Sequence, residues 1–217
     1  MSMGLLELKG CESVLRDDRV NTRKVVFLFF TTMIVGAVGG AIVGIPLRWD
    51  AFQGEGFWNF FWGTIWMLGI GAAISIVAQM GYFAYLILHR FALSLFKTAK
   101  LWNLVQVLLI AFVFFDLVYL RYIAYADGEP WTAYLLTPTL LLIYALLIAY
   151  WKMKETNYTA FIPATFFMFV ITTIEWVPAL TVQQVNDSEW LWIYLAPLLF
   201  ANTYQLIALH RIQRSKK

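Results

Sequence analysis

Residues 25–45 read VVFLFFTTMIVGAVGGAIVGI. No charged side chain interrupts the run, and its apolar residues form a continuous block rather than one amphipathic stripe. At 1.5 Å per residue a helix over this stretch is about 30 Å long, the thickness of the hydrocarbon core of a bilayer. Five further apolar blocks follow, at roughly 60–88, 101–120, 133–151, 159–178 and 190–209, each long enough to cross. None alternates with the two-residue period of an outer-membrane strand, so helices are expected throughout. The second block is long for a single crossing and is expected to tilt or to emerge as a helix into the cytoplasm.

The composition agrees. Of 217 residues, 61% are hydrophobic and 13% charged, where a soluble domain carries about 25% charge. The predicted fold is therefore all-α: a polytopic membrane protein of six transmembrane helices. It comprises a cytoplasmic N-terminal tail (1–24), a six-helix transmembrane domain (25–209) and a basic cytoplasmic tail (210–217).

Charge sets the orientation. With both termini cytoplasmic, the inner segments hold 14 of the 16 Lys and Arg residues, and the outer side keeps only Arg48 and Arg121. That asymmetry satisfies the positive-inside rule at every loop. The net charge of +3 is then a topology signal. It does not point to nucleic acid, because the basic residues are split over four inner segments beside the lipid bilayer.

The single cysteine, Cys11, makes neither an internal disulfide nor a metal cluster. "LKGC", ending at Cys11, lacks the apolar run that a lipoprotein leader needs, and the mixed charges of residues 1–24 do not form a signal peptide. No nucleotide-binding glycine loop, HExxH, GxSxG or CxxC is present. His89 and His210 stand at inner helix ends with no nearby carboxylate in sequence, and read as interfacial residues rather than metal ligands. The expectation is a protein without a cofactor, metal or catalytic residue, hence not an enzyme.

Two features speak to packing. Gly36, Gly40 and Gly44 repeat every four residues and line one face of the first span; small residues let helix backbones approach closely in lipid. Gly69 and Ala73 in the second span are the expected partner face. Tryptophans mark the boundaries: Trp49, Trp58, Trp62, Trp131, Trp176, Trp190 and Trp192 the outer one, Trp102 and Trp151 the inner one.

Polar residues inside the spans are the candidate sites. Asp116 lies in FFDLVYLRY (114–122) and Glu175 in ITTIEWVP (171–178), both in the outer part of their spans. A charge at the membrane centre costs about 2.5–3.5 kcal/mol on insertion scales, so such residues find partners. Arg121 follows Asp116 by five positions, about 140° around one helix, which favours pairing between helices. The expectation is an outer cluster of Arg48, Asp116, Arg121 and Glu175 that pins helices together without chemistry. A proton- or ligand-sensing role is the alternative. Gln79, Gln106, Asn202 and Gln205 form a second, inner layer, read as interhelical amide bonds. No acid stands at the centre of any span and no inverted repeat is evident, which argues against an ion-coupled transporter.

Longer runs carry a resemblance. LRWD (47–50), AQMGYFAYLILHRF (78–91), LWNLVQVLLIAFVFFDLVYLRY (101–122), FIPATFFMFVITTIEWVPAL (161–180) and NDSEWLWIYLAPLLFANTYQLIALHRI (186–212) resemble the KinB-signalling pathway activation (KbaA) family of spore-forming Gram-positive bacteria. The resemblance spans most of the chain. It implies a multi-pass cell-membrane protein that promotes signalling by a membrane sensor histidine kinase feeding the sporulation phosphorelay. It implies no catalytic activity and carries over no catalytic residue. A small transporter or channel supplying a signal ligand is the alternative function.

Overall fold

The computed structural model describes residues 22–52, 56–96, 98–125, 130–181 and 188–214. Among these, six helices are long and apolar enough to cross a membrane. They are α1 (Thr22–Leu47), α2 (Gly56–Leu95), α3 (Ala99–Tyr125), α4 (Leu136–Glu155), α5 and α6 (Ser188–Arg214). Helix α5 is built from three consecutive pieces: α-helix Phe161–Phe166, π-helix Phe167–Ile171 and α-helix Thr172–Thr181. Each of the six apolar blocks in the sequence lies largely within one of these helices. Of the two expected tails, residues 1–21 and 215–217 lie outside the described residues, whereas 22–24 and 210–214 are helical.

Helix α2 exceeds its expected bounds at both ends. It runs for 40 residues, about 60 Å and twice the hydrocarbon thickness. No proline or glycine follows Gly81 before Leu95, so nothing in the backbone chemistry stops it sooner. Its start is sharp, because Gly56 has φ of +80°, a conformation that glycine adopts without steric cost. Helix α4 begins later than expected, since Trp131–Leu135 form a 3-10 turn ahead of it.

Burial divides the helices. In α5 and α6, 61% and 67% of the apolar stretch is buried, against 22% in each of α2, α3 and α4. Helices α5 and α6 are thus the interior of the bundle. The π segment is its densest part: Phe167, Met168 and Phe169 have no exposed surface, and Tyr82 and Tyr85 of α2 pack their rings on Phe167.

Helices α1, α2 and α6 meet along the predicted glycine face. A Cβ on Gly40 would lie 2.9 Å from Pro197 Cγ and 3.1 Å from Gly71 Cα; one on Gly44 would lie 3.0 Å from Met67 Sδ. The partner glycine on α2 is Gly71, not Gly69. A Cβ on Gly71 would sit 2.9 Å from Ala37 Cα and from the Gly36 carbonyl, whereas one on Gly69 meets nothing within 4 Å. Two residues is about 200° of helix, so Gly69 and Ala73 face away from the seam that Gly71 and Ser75 fill.

Two tryptophans assigned to the boundary belts are core residues. Trp176 is 1% exposed and donates its indole N–H to the Leu191 carbonyl at 3.2 Å. Trp102 is buried and donates to His89 Nδ1 at 3.0 Å. An indole buries a large apolar area while its N–H still needs an acceptor, and α6 and α2 supply one. His89, half-buried, thereby accepts a hydrogen bond between α2 and α3.

Candidate functional site

Thr172 and Glu175 of α5, Asn202 of α6 and Gly81 of α2 meet at one junction. Glu175 is buried, and its Oε2 accepts a hydrogen bond from Asn202 Nδ2 at 2.7 Å. The same amide donates to Thr172 Oγ1 at 2.9 Å. Thr172 and Glu175 stand three residues apart on the segment after the π turn, so one amide of α6 reaches both. The other carboxylate oxygen, Oε1, rests against Gly81 of α2 in the space a Cβ would occupy. Three helices therefore converge on one carboxyl group.

All four amides of the expected inner layer are buried: Gln79 at 2%, Gln106 at 0%, Asn202 at 0% and Gln205 at 1% exposure. Of these, Asn202 makes the interhelical bonds just described. Glu175 Oε1, Asn202 Oδ1, Gln79 Nε2, Gln205 Nε2 and Ser75 Oγ are buried without a hydrogen-bond partner among the described residues. One turn further along α2, the Tyr85 hydroxyl donates to the Pro163 carbonyl at 3.0 Å and lies beside Gln106.

The expected outer cluster of four does not assemble. Glu175 turns toward Asn202. Arg48 faces Glu189 across 3.9 Å and lies over the Trp190 ring at 4.8 Å. Arg121 has its guanidinium 6.0 Å from the Tyr134 ring centre. Asp116 is half-buried on α3. The reason is helical phase: Glu175 lies on the α5 face that meets α2 and α6, so its depth relative to Asp116 does not make the two neighbours.

Both members of the Arg48–Glu189 pair are partly exposed, at 35% and 45% of their side chains. A screened pair of this kind contributes at most about 1 kcal/mol. Arg48→Ala should therefore leave the detergent melting temperature within a few degrees of wild type; a large drop would show that the Trp190 contact matters more.

Among the described contacts, three tie α4 to α6 from its middle to its C-terminal end. Tyr144 and Thr203 share a hydroxyl hydrogen bond of 2.8 Å, Lys152 Nζ donates to the Leu206 carbonyl at 2.6 Å, and Arg211 pairs with Glu155 at 2.5 Å. The hydrogen bond and charge of Glu155 push the Arg211 guanidinium further above its ordinary pKa. Among the described residues no group of three His, Cys, Asp or Glu side chains gathers to hold a metal ion.

Sequence reasoning missed Gly81 and Glu189 as partners of Glu175 and Arg48. The glycine in AQMGYF carries no periodic signal, and Glu189 sits at a helix start, where an acid is ordinary.

Residues 36–212 match the family described as KinB-signalling pathway activation in sporulation, KbaA. The KinB-signaling pathway activation protein of Bacillus subtilis (strain 168) is 40% identical over 196 residues, covering 88% of this chain and 97% of that protein. The chain belongs to the KbaA family. The matched region contains Arg48, Asp116, Arg121, Glu175 and every member of the amide layer, so the polar core lies wholly within the KbaA-like part. What describes the KbaA family is activation of a signalling pathway. No solved structure matches the chain.

Proposed function

We propose that this KbaA-family chain is a multi-pass cell-membrane protein with both termini cytoplasmic, which activates a KinB-type sensor histidine kinase by helix–helix contact and without catalysis. The observation that carries this reading is the outer surface of the bundle. Helices α2, α3 and α4 each carry a long apolar stretch that is mostly uncovered by the rest of the chain, so these stretches meet lipid or the helices of another membrane protein. The family description and the similarity to a KinB-signalling activator supply the direction of the effect. Activation requires only that the chain bind the active state of the kinase better than the inactive one.

The test is affinity capture from crosslinked native membranes, with and without deletion of the kinase gene. Kinase recovered with the chain supports the reading. Capture without kinase, combined with solute flux in vesicles holding the purified chain, would replace it with the transporter alternative.

Topology is tested separately. Reporter tags after Lys217 and near residue 98 should report a cytoplasmic location, and one near residue 128 an external one, following the asymmetry of 14 against 2 basic residues. A C-terminal tag reporting outside would overturn the six-span orientation.

A further inference from the structure

Asp116 stands seven residues before Ile123, where the apolar stretch of α3 ends; at 1.5 Å per residue this is about 10 Å inside it. Its neighbours one turn away on the same side are Phe112 and Tyr119, which are 61% and 48% exposed, and Phe115 beside it is 61% exposed. Among the described residues the Asp116 carboxylate makes no hydrogen bond and no ion pair. Both arginines at this level are engaged elsewhere, Arg48 by Glu189 and Trp190, and Arg121 by Tyr134. Ionisable residues within a membrane span are expensive, and they occur where another group pairs with them. An unpaired acid at the edge of an apolar, uncovered helix face therefore marks where a partner supplies that group.

A second observation lies next to it. Phe115, Tyr119 and Tyr122 of α3, with Trp131 and Leu135 before α4, line an apolar cleft of about 380 Å³. A cleft of aromatic side chains beside a lone charge has the anatomy of an interface centre, where apolar knobs fill a pocket and one charged pair sets register.

We propose that Asp116 and this cleft form the docking surface for a transmembrane helix of the sensor kinase, one that brings a lysine or arginine to the depth of Asp116 and apolar side chains into the cleft. A second copy of this chain fits less well. Two-fold pairing along α3 would bring the two Asp116 carboxylates together, and like charges in an apolar setting repel. The inference rests on the proposed kinase contact and names its location.

The experiment uses the full chain coexpressed with a KinB-type kinase, with photoreactive benzoylphenylalanine placed at Phe115 or, on a different uncovered face, at Met80 of α2. A kinase adduct is expected from Phe115. Asp116→Leu should lower its yield at least about tenfold at unchanged chain abundance, as loss of a buried charge pair across an interface does. Asp116→Asn, which keeps a hydrogen-bonding group, should lower it less. If the leucine variant fails to accumulate, the asparagine variant decides: an undiminished adduct there overturns the proposal. An adduct unaffected by Asp116→Leu, or formed with a second copy of the chain, also overturns it. Kinase adducts from Met80 alone would leave the kinase contact standing and refute this surface. Adducts from neither position, together with no kinase in affinity capture, would refute both.

Discussion

Gly71→Leu should collapse the accumulation of folded protein, while Gly69→Leu, two residues earlier, should leave it unchanged. The Cβ of residue 71 would stand 2.9 Å from the Ala37 Cα and the Gly36 carbonyl oxygen. Both are backbone atoms, so no rotamer change relieves the clash and α1 must move away from α2. Overpacking a core with movable side chains costs about 1–3 kcal/mol, and displacing a helix backbone lies at or above the top of that range. The displacement would also open the contact with α6, because Gly40 packs on Gly71 and Pro197 together. Residue 69 has open space around its Cβ position. Membrane abundance and thermal unfolding in detergent read the difference, and Gly40→Leu should behave as Gly71→Leu does. Equal loss from Gly69→Leu and Gly71→Leu would show that bulk anywhere on α2 is harmful and that the seam is not specific.

The second large effect is expected at the Glu175 junction. Asn202→Leu removes the side-chain donor to Glu175 Oε2 and to Thr172 Oγ1. It leaves a buried carboxyl group without a partner, a loss of about 1–3 kcal/mol for a neutral group and more for a charged one. Detergent stability and signalling should fall together. Glu175→Gln keeps an acceptor for Asn202 and should be much milder. Gly81→Ala approaches the same junction from α2: the new methyl group occupies the position of Oε1, so the carboxyl group must leave its seat. It should resemble Asn202→Leu rather than Glu175→Gln. A wild-type melting curve for both Asn202→Leu and Gly81→Ala would mean that this junction does not hold the three helices together. Normal stability of Glu175→Gln with lost signalling would assign the carboxyl group a role beyond packing.

The pattern of exposure explains why the two acids differ. Glu175 is on the most buried helix pair and finds a partner within the chain; Asp116 is on one of the least buried helices and finds none among the described residues. Depth along the span was readable for both. Direction around the helix was not, since an apolar block without a polar stripe carries no phase from which to tell its inner face.

What the sequence determined by itself is therefore everything that depends on length and local composition. Six long apolar blocks predict six helices, because a backbone surrounded by apolar groups must pair its own polar atoms and a helix does so within the segment. The four-residue repeat of Gly36, Gly40 and Gly44 marks a close-packing face through helical geometry alone. The long runs quoted above were enough to indicate the family. The tertiary structure alone decided which faces meet: Gly71 rather than Gly69 against α1, Trp102 and Trp176 in the core rather than at the boundary, Glu175 with Asn202 rather than with arginine. These outcomes depend on the rotation of each helix about its axis. A one-residue change in that rotation is about 100°, and helices that are apolar on every side fix it only by fitting their side chains against one another.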